Sequence, residues 1–111
     1  YMKRCKEVGI APHPARFPQR FPTFFIDFLT TEGDTVLDVF GGSNTTGAAA
    51  EERRRRWITF EQERNYLAAS AFRFYSFETV NQATEFYTAL VEGIETSQLL
   101  PFAQMSLDDI E

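Results

Sequence analysis

A glycine-rich loop between two apolar runs is the part of the sequence best suited to chemistry. TVLDVF at 35–40 is followed by GGSNTTG at 41–47 and then by AAAEE at 48–52. The first run predicts a buried parallel strand and the alanines predict a helix. A strand, a tight turn and a helix bring backbone N–H groups and a helix N-terminus up to an anionic ligand. We therefore expect an anion-binding loop, with Gly41 and Gly42 permitting the ligand's close approach.

Three classes of ligand compete for this loop. A P-loop for nucleoside triphosphates needs Lys and then Ser or Thr after its last glycine, but Ala48 and Ala49 follow Gly47. The dinucleotide fingerprint G-x-G-x-x-G does not match the spacing of the glycines either. A smaller anion beside a nucleoside, such as a carboxylate, is what remains. The short polar side chains at the predicted helix start are Ser43, Asn44, Thr45 and Thr46.

An acidic residue at the end of the second apolar run suggests a further part of the ligand. RWITFE at 56–61 repeats the strand pattern and ends in Glu61. Rossmann-type folds place an acid about 20 residues past the glycine turn, where it accepts both ribose hydroxyls. A carboxylate at the loop and a ribose at the second strand together describe S-adenosylmethionine. This is the cofactor that we expect.

The elements that must position these groups alternate between helix and strand. The order predicts an α/β fold, partial and Rossmann-like, in which a leading helix precedes β-α-β-α and a C-terminal helix follows. The leading helix begins near Pro22 and ends near Gly33. Later helices are predicted over 63–75 and 79–94. The apolar stripe of the leading helix, which we interpret as packing surface, consists of Phe21, Phe24, Phe25, Phe28 and Leu29.

Proline content and charge divide the 111 residues into three parts. Residues 1–22, with four of the five prolines, are expected to form an extended connector. Residues 23–77 form the cofactor-binding α/β portion, and residues 78–111 form a C-terminal helix and an acidic tail. The last part holds 7 of the 16 acids and none of the 11 Lys and Arg residues.

Composition and charge exclude several classes of function. A net charge of −5 makes the chain a poor nucleic-acid binder on its own. The arginine run 53–56 closes a predicted helix, so we interpret it as a solvated helix end. The single Cys5 and the single His13 predict neither a disulfide framework nor a metal site. Neither a membrane span nor a signal peptide is apparent, so we expect no membrane partner and a cytoplasmic location.

Three motifs resemble those of a known enzyme family. HPARFP at 13–18, DVFGGSNTTG at 38–47 and FE at 60–61 are spaced like motifs X, I and II of the circularly permuted β class of amino-DNA methyltransferases. The resemblance runs from Tyr1 to about Tyr75 and covers the carboxyl-terminal part of such an enzyme. The form FGGSNTTG is most similar to the N4-cytosine-specific branch of type II restriction-modification enzymes, which are prokaryotic.

The resemblance implies an S-adenosylmethionine-dependent methyltransferase fold and a set of cofactor contacts. Glu61 would hold the ribose, and Gln62 would lie near the adenine. Asp38 would either brace the loop by accepting backbone N–H bonds or take part at the target amino group. The methionine end would be lined by His13, Pro14 and Ala15, and its carboxylate and sulfonium would be surrounded by Phe40, Gly41, Ser43, Asn44 and Thr45.

The family's catalytic tetrapeptide, S/D-P-P-Y, is missing because no two of the five prolines are adjacent. In the β class this motif and the target-recognition region precede motif X. We therefore expect no catalytic residue in this chain. An upstream segment would supply the catalytic residues and hold double-stranded DNA. The implied activity is methyl transfer to the exocyclic N4 of a flipped cytosine. The alternatives are N6-adenine methylation and a non-catalytic module that binds S-adenosylmethionine.

Overall fold

The structure, a computed structural model, describes residues 1–99 and the backbone of residues 104–105. Helices precede, connect and follow a pair of parallel strands in the predicted order, but the first helix, the 3₁₀ turn, two short later strands and the last short helix were not predicted. The elements are α1 Met2–Val8, α2 Arg20–Leu29, β1 Thr35–Asp38, α3 Thr45–Glu52, β2 Arg56–Thr59, α4 Arg64–Ser70, a 3₁₀ turn Ala71–Arg73, β3 Tyr75–Ser76, α5 Val80–Val91, α6 Thr96–Leu99 and β4 Gln104–Met105.

The parallel pair β1 and β2 has helices on one face and an open second face. Val36 is paired with Trp57, and both pack against the cluster that α2 and α3 form. Leu37 is paired with Ile58, and these two side chains are 60% and 51% exposed. Our prediction of buried strands is therefore wrong for the second face. Side chains alternate between the faces of a strand, and the helices cover only the first.

Small residues let the crossover helix α3 lie close to the strands. Ala49 and Ala50 are fully buried, and Ile26 of α2 packs beside them. The helix begins where the Asn44 side chain accepts the Gly47 N–H at 2.9 Å, which satisfies one of the free N–H groups of the first turn. The glycine loop is therefore anchored to a packed helix at the place where we expect the ligand.

The arginine run 53–56 joins the end of α3 to α2. Arg53 forms an ion pair with Asp27 at 3.3 Å. Arg55 donates to both the side-chain oxygen and the carbonyl oxygen of Thr30, at 2.9 and 2.8 Å. The run is thus a helix end at Arg53, as we interpreted it, but Arg55 is half-buried instead of solvated and Arg56 is the first residue of β2.

The segment before the glycine loop differs from our expectation. We expected an extended connector over residues 1–22, but Met2–Val8 is helical and buries Cys5. The helix ends at Gly9, whose φ of +78° suits glycine. The prolines on which the prediction depended begin only at Pro12, so none interrupts α1. Between Ile10 and Pro18 the chain has no helix or strand, as expected.

The C-terminal helices and α1 form a second hydrophobic core, in addition to the cluster of α2 and α3. Of the helix predicted over 63–75, residues 64–70 are α-helical, and a 3₁₀ turn and β3 follow. The last predicted helix is confirmed as α5, which begins with a capping box between Thr79 and Gln82. Most of the acidic tail lies outside the described residues. The buried residues of this core are Cys5, Ala69, Ala71, Phe72, Phe77, Ala83 and Phe86.

Two properties of the described residues concern membranes and metal ions. Every helix in that part of the chain is too short or too polar to cross a membrane. No group of at least three His, Cys, Asp or Glu side chains is arranged there to hold a metal ion.

Candidate cofactor-binding site

The glycine loop lies where the two parallel strands end. The Phe60 N–H donates to the Asp38 carbonyl at 2.9 Å, and the Gly41 N–H donates to the Phe60 carbonyl at 2.8 Å. A Cβ at Gly41 would lie 2.1 Å from Thr59 Oγ1, so this position requires glycine because the end of β2 is so close. The close approach at Gly41 is thus made by the chain itself.

Gly42 lies at the point where the three sequence motifs meet. Its φ is +58°, in the region that glycine occupies without strain. Its N–H donates to Glu61 Oε2 at 2.7 Å. A Cβ at this position would lie 3.4 Å from two atoms of the His13 ring. The structure therefore brings together residues from HPARFP, FGGSNTTG and FE, which are far apart in the sequence.

Glu61 is held by backbone donors on two sides. Besides the bond from Gly42, its Oε1 accepts the Glu63 N–H at 3.0 Å. A carboxylate has about four lone-pair sites, so further hydroxyl donors can still bind to it. The side chain is half-buried, and the next residue, Gln62, is exposed. This is the chemistry that a pair of ribose hydroxyls requires.

His13 is positioned by contacts on several sides. Its backbone N–H donates to the Tyr1 hydroxyl at 3.0 Å, and its ring packs edge-on against Tyr66 with centroids 4.6 Å apart. Nδ1 lies 2.8 Å from the Ala15 carbonyl oxygen, which makes a hydrogen bond when Nδ1 carries the proton. Pro14 and Ala15 are exposed on the same turn. Of the three, only His13 is shown to approach the glycine loop.

Ser43, Asn44 and Thr45 are buried, with exposed fractions of 3%, 1% and 5%. Asn44 adopts a left-handed conformation at φ +60° and caps α3 through Oδ1. A Cβ at Gly47 would lie 2.3 Å from that oxygen, which explains the glycine there. Asn44 Nδ2 has no hydrogen-bond partner within the described residues. The side chains of this triplet therefore build the loop, and one buried donor remains for a further acceptor.

Asp38 and Phe40 lie at the start of the loop. The Asp38 carboxylate accepts the Phe40 N–H at 2.9 Å, an arrangement that braces the turn. This contact supports the bracing role among the two that we considered for Asp38. The Phe40 side chain is 88% exposed, so it is available to a ligand or to another protein segment.

Sequence reasoning missed Arg73, which contacts the inner side of the loop. Its guanidinium donates to the Ser43 carbonyl at 2.6 Å and lies 4.5 Å from the centroid of the Tyr1 ring. Burial, which removes water from the charge, lowers the pKa of Arg73. A lone cation between Phe72 and Phe74 is the sequence feature that could have drawn attention to it.

The groups present fit a cofactor that carries hydroxyls and an anionic end. Glu61 has acceptor capacity for hydroxyls, and Asn44 has an unpaired donor. The N-terminus of α3 favours an anion, because its N–H groups and dipole present positive charge. The φ of +58° at Gly42 favours glycine, so no side chain projects from the loop at this position.

A family profile described as DNA methylase, for N6 and N4 methyltransferases, matches residues 2–72. The chain belongs to this DNA methylase family. Two curated relatives are type II methyltransferases. M.PvuII of Proteus hauseri is 49% identical over 94 residues, which are 84% of this chain and 28% of the relative. M.BglI of Bacillus subtilis is 47% identical over 58 residues, which are 52% of this chain and 17% of the relative.

A solved structure of a DNA methylase has the same fold. The PvuII DNA methyltransferase, described as cytosine-N4-specific, matches with a TM-score of 0.81 and 49% identity. The match covers 84% of this chain and 33% of that chain. The predicted family and fold class are thereby confirmed, while the cofactor contacts of individual residues stay predictions. This DNA methylase chain spans less than a third of the length of the relatives that it matches.

Proposed function

We propose that the chain is the cofactor-binding portion of a DNA methyltransferase that methylates the exocyclic N4 of cytosine. The observation that carries the proposal is the convergence of Gly42, Glu61 and His13 at the ends of the two parallel strands. It occurs in a chain that is 49% identical, over the matched part, to a methyltransferase described as cytosine-N4-specific. The N6-adenine alternative has no comparable support.

The cofactor would be S-adenosylmethionine, which supplies an activated methyl group when it is bound. Glu61 would accept the ribose hydroxyls, and the backbone donors of Gly42 and Glu63 keep its carboxylate in place. The start of α3 would hold the methionine carboxylate. His13, fixed against Tyr66, would close the side of the site next to Gly42. By holding the donor in one orientation, these residues lower the entropic part of the barrier.

The catalytic and target-recognition groups would come from another segment of the same enzyme. With a net charge of −5, this chain provides little attraction for the DNA backbone. The target cytosine has to leave the base stack, so a second segment must both hold the duplex and receive the flipped base. We place this enzyme in the cytoplasm of a prokaryote, and its relatives in Proteus hauseri and Bacillus subtilis support the prokaryotic source.

The open face of the sheet supports such a second segment. Leu37 and Ile58 are more than half exposed, as are Val39 and Phe60 just beyond them. Apolar side chains exposed side by side mark a surface that another protein element covers. In the described part of the chain, β1 and β2 form a sheet of only two strands, so each also has a free edge.

The experiment measures methyl transfer from labelled S-adenosylmethionine to mixed-sequence DNA, followed by mass spectrometry of the nucleosides. The complete enzyme should produce N4-methylcytosine, and the chain alone should produce no methylated base. Adding the catalytic segment as a separate polypeptide should restore activity. N6-methyladenine as the product, or methylation by the chain alone, would contradict the proposal.

A variant of the same assay tests whether the catalytic segment docks on the open face of the sheet. Ile58→Asp places a charge on the open face and should greatly reduce the activity restored by mixing. Val80→Asp introduces the same change at an exposed position of α5 and serves as the control. If the two variants are restored equally well, the face does not bind the catalytic segment. If the mixture of the unmodified chain and the catalytic segment neither binds S-adenosylmethionine nor methylates DNA, the proposed function fails.

A further inference from the structure

We propose that Arg73 and Tyr1 are positioning residues that hold the two walls of the cofactor site together. One wall is the glycine loop, and the other is the segment around His13. The inference rests on the proposed function, because it concerns the affinity of this site for S-adenosylmethionine. It assigns neither residue a contact with the cofactor.

Arg73 holds the glycine loop from its inner side. Its Nε donates to the Ser43 carbonyl at 2.6 Å. Its Nη2 lies 3.0 Å from Ser43 Oγ and 3.1 Å from Thr45 Oγ1, and these two hydroxyls are 3.2 Å apart. The planar guanidinium therefore reaches both sides of Asn44, whose left-handed conformation starts α3.

Tyr1 connects this guanidinium to the other wall. The Arg73 guanidinium carbon lies 4.5 Å from the centroid of the Tyr1 ring, within the range of a cation–π interaction. The Tyr1 hydroxyl accepts the His13 N–H at 3.0 Å. A continuous series of contacts thus runs from Ser43 through Arg73 and Tyr1 to His13. The ring of His13 in turn lies beside Gly42, so the series of contacts returns to the glycine loop.

The environment of Arg73 explains why replacing this residue should change the arrangement of the glycine loop. In the part of the chain that the structure describes, no carboxylate lies within ion-pair distance of this cation. A partly buried charge is costly unless other groups stabilise it, and here loop oxygens and an aromatic ring do so. The arrangement of Ser43 and Thr45 and the position of the charge are therefore coupled. The positive charge also adds to the dipole of α3, so both favour an anionic group at the loop.

The test compares variants of the complete enzyme in steady-state kinetics. Arg73→Met keeps the length of the side chain and removes its donors. It should raise the KM for S-adenosylmethionine by about 10- to 100-fold, because hydrogen bonds to a charged group are lost. The KM for DNA and kcat should change by less than about twofold. Arg73→Lys keeps the charge without the planar donor pair and should give an intermediate KM.

Tyr1→Phe tests the second half of the series, since it keeps the ring and removes the hydroxyl. We expect a smaller increase in the same KM, about 2- to 10-fold, for the loss of one neutral hydrogen bond. The control is Arg64→Met, which removes an arginine of α4 whose side chain donates to the Val91 carbonyl instead of to the loop. Its kinetic constants should match those of the wild-type enzyme.

A purely structural role would give a different pattern. It would reduce the fraction of folded enzyme, and so the apparent kcat, without changing the KM for S-adenosylmethionine. That pattern, or KM values for both Arg73 variants within about twofold of wild type, would overturn the inference. If Arg73→Met does not fold, the same criterion applies to Arg73→Lys alone. A wild-type enzyme that binds no S-adenosylmethionine would refute the proposed function itself, and this outcome is distinct from unchanged variants of an enzyme that binds it.

Discussion

Replacing Glu61 tests the assignment of the ribose site. Glu61→Ala removes the carboxylate that would accept the ribose hydroxyls, and such charge-assisted bonds contribute about 1.5–3 kcal/mol. The dissociation constant for S-adenosylmethionine should therefore rise by roughly 10- to 100-fold. The structure adds a second effect, since the same carboxylate accepts the Gly42 N–H at 2.7 Å. The loop loses this support together with the ligand contact, so the upper part of the range is expected.

A second substitution separates the two effects. Glu61→Gln keeps an amide oxygen that can accept the Gly42 N–H, but it removes the negative charge. It should therefore weaken binding less than Glu61→Ala does. Isothermal titration calorimetry on the complete enzyme provides the dissociation constants. Glu85→Ala, which removes an exposed glutamate from α5, is the control for the loss of one charge. A Glu61→Ala constant within about twofold of wild type would remove Glu61 from the site.

Two further predictions concern the loop and the C-terminal core. Gly42→Val forces a β-branched residue to φ +58° beside the His13 ring, so calorimetry should detect no cofactor binding. The control is Gly33→Val, which is strained at φ +86° but lies in open space, so it should lower only the stability of the fold. Normal binding by folded Gly42→Val would contradict the loop argument. Burial raises the pKa of the Cys5 thiol, so iodoacetamide should label Cys5 more slowly in the native chain than in urea at mildly alkaline pH. Equal labelling rates would refute the burial of Cys5. Because the folded state holds the thiol proton more tightly, the free energy of unfolding should also fall as the pH rises through the range in which thiols ionise.

Local patterns were sufficient to predict the elements around the glycine loop. The apolar spacing after Pro22 predicted α2, the β-branched runs predicted β1 and β2, and the helical spacing over 79–94 predicted α5. These patterns work because strand and helix periodicities, caps and breakers act over a few residues. The motif spacing also identified the family, because the loop and Glu61 occupy fixed places in a strand–turn–helix–strand unit.

Only the tertiary structure decided how distant parts of the chain meet at the site. Arg73 is 30 residues from Ser43, and Tyr1 is 12 residues from His13, so no local pattern predicts either contact. The helix α1 was missed because it is short and stabilised by burying Cys5 in the second core, which propensity does not reveal. The exposure of Leu37 and Ile58 likewise depends on what packs against the sheet. Sequence determines which residues can form a strand, whereas burial is a property of the neighbours that three-dimensional packing supplies.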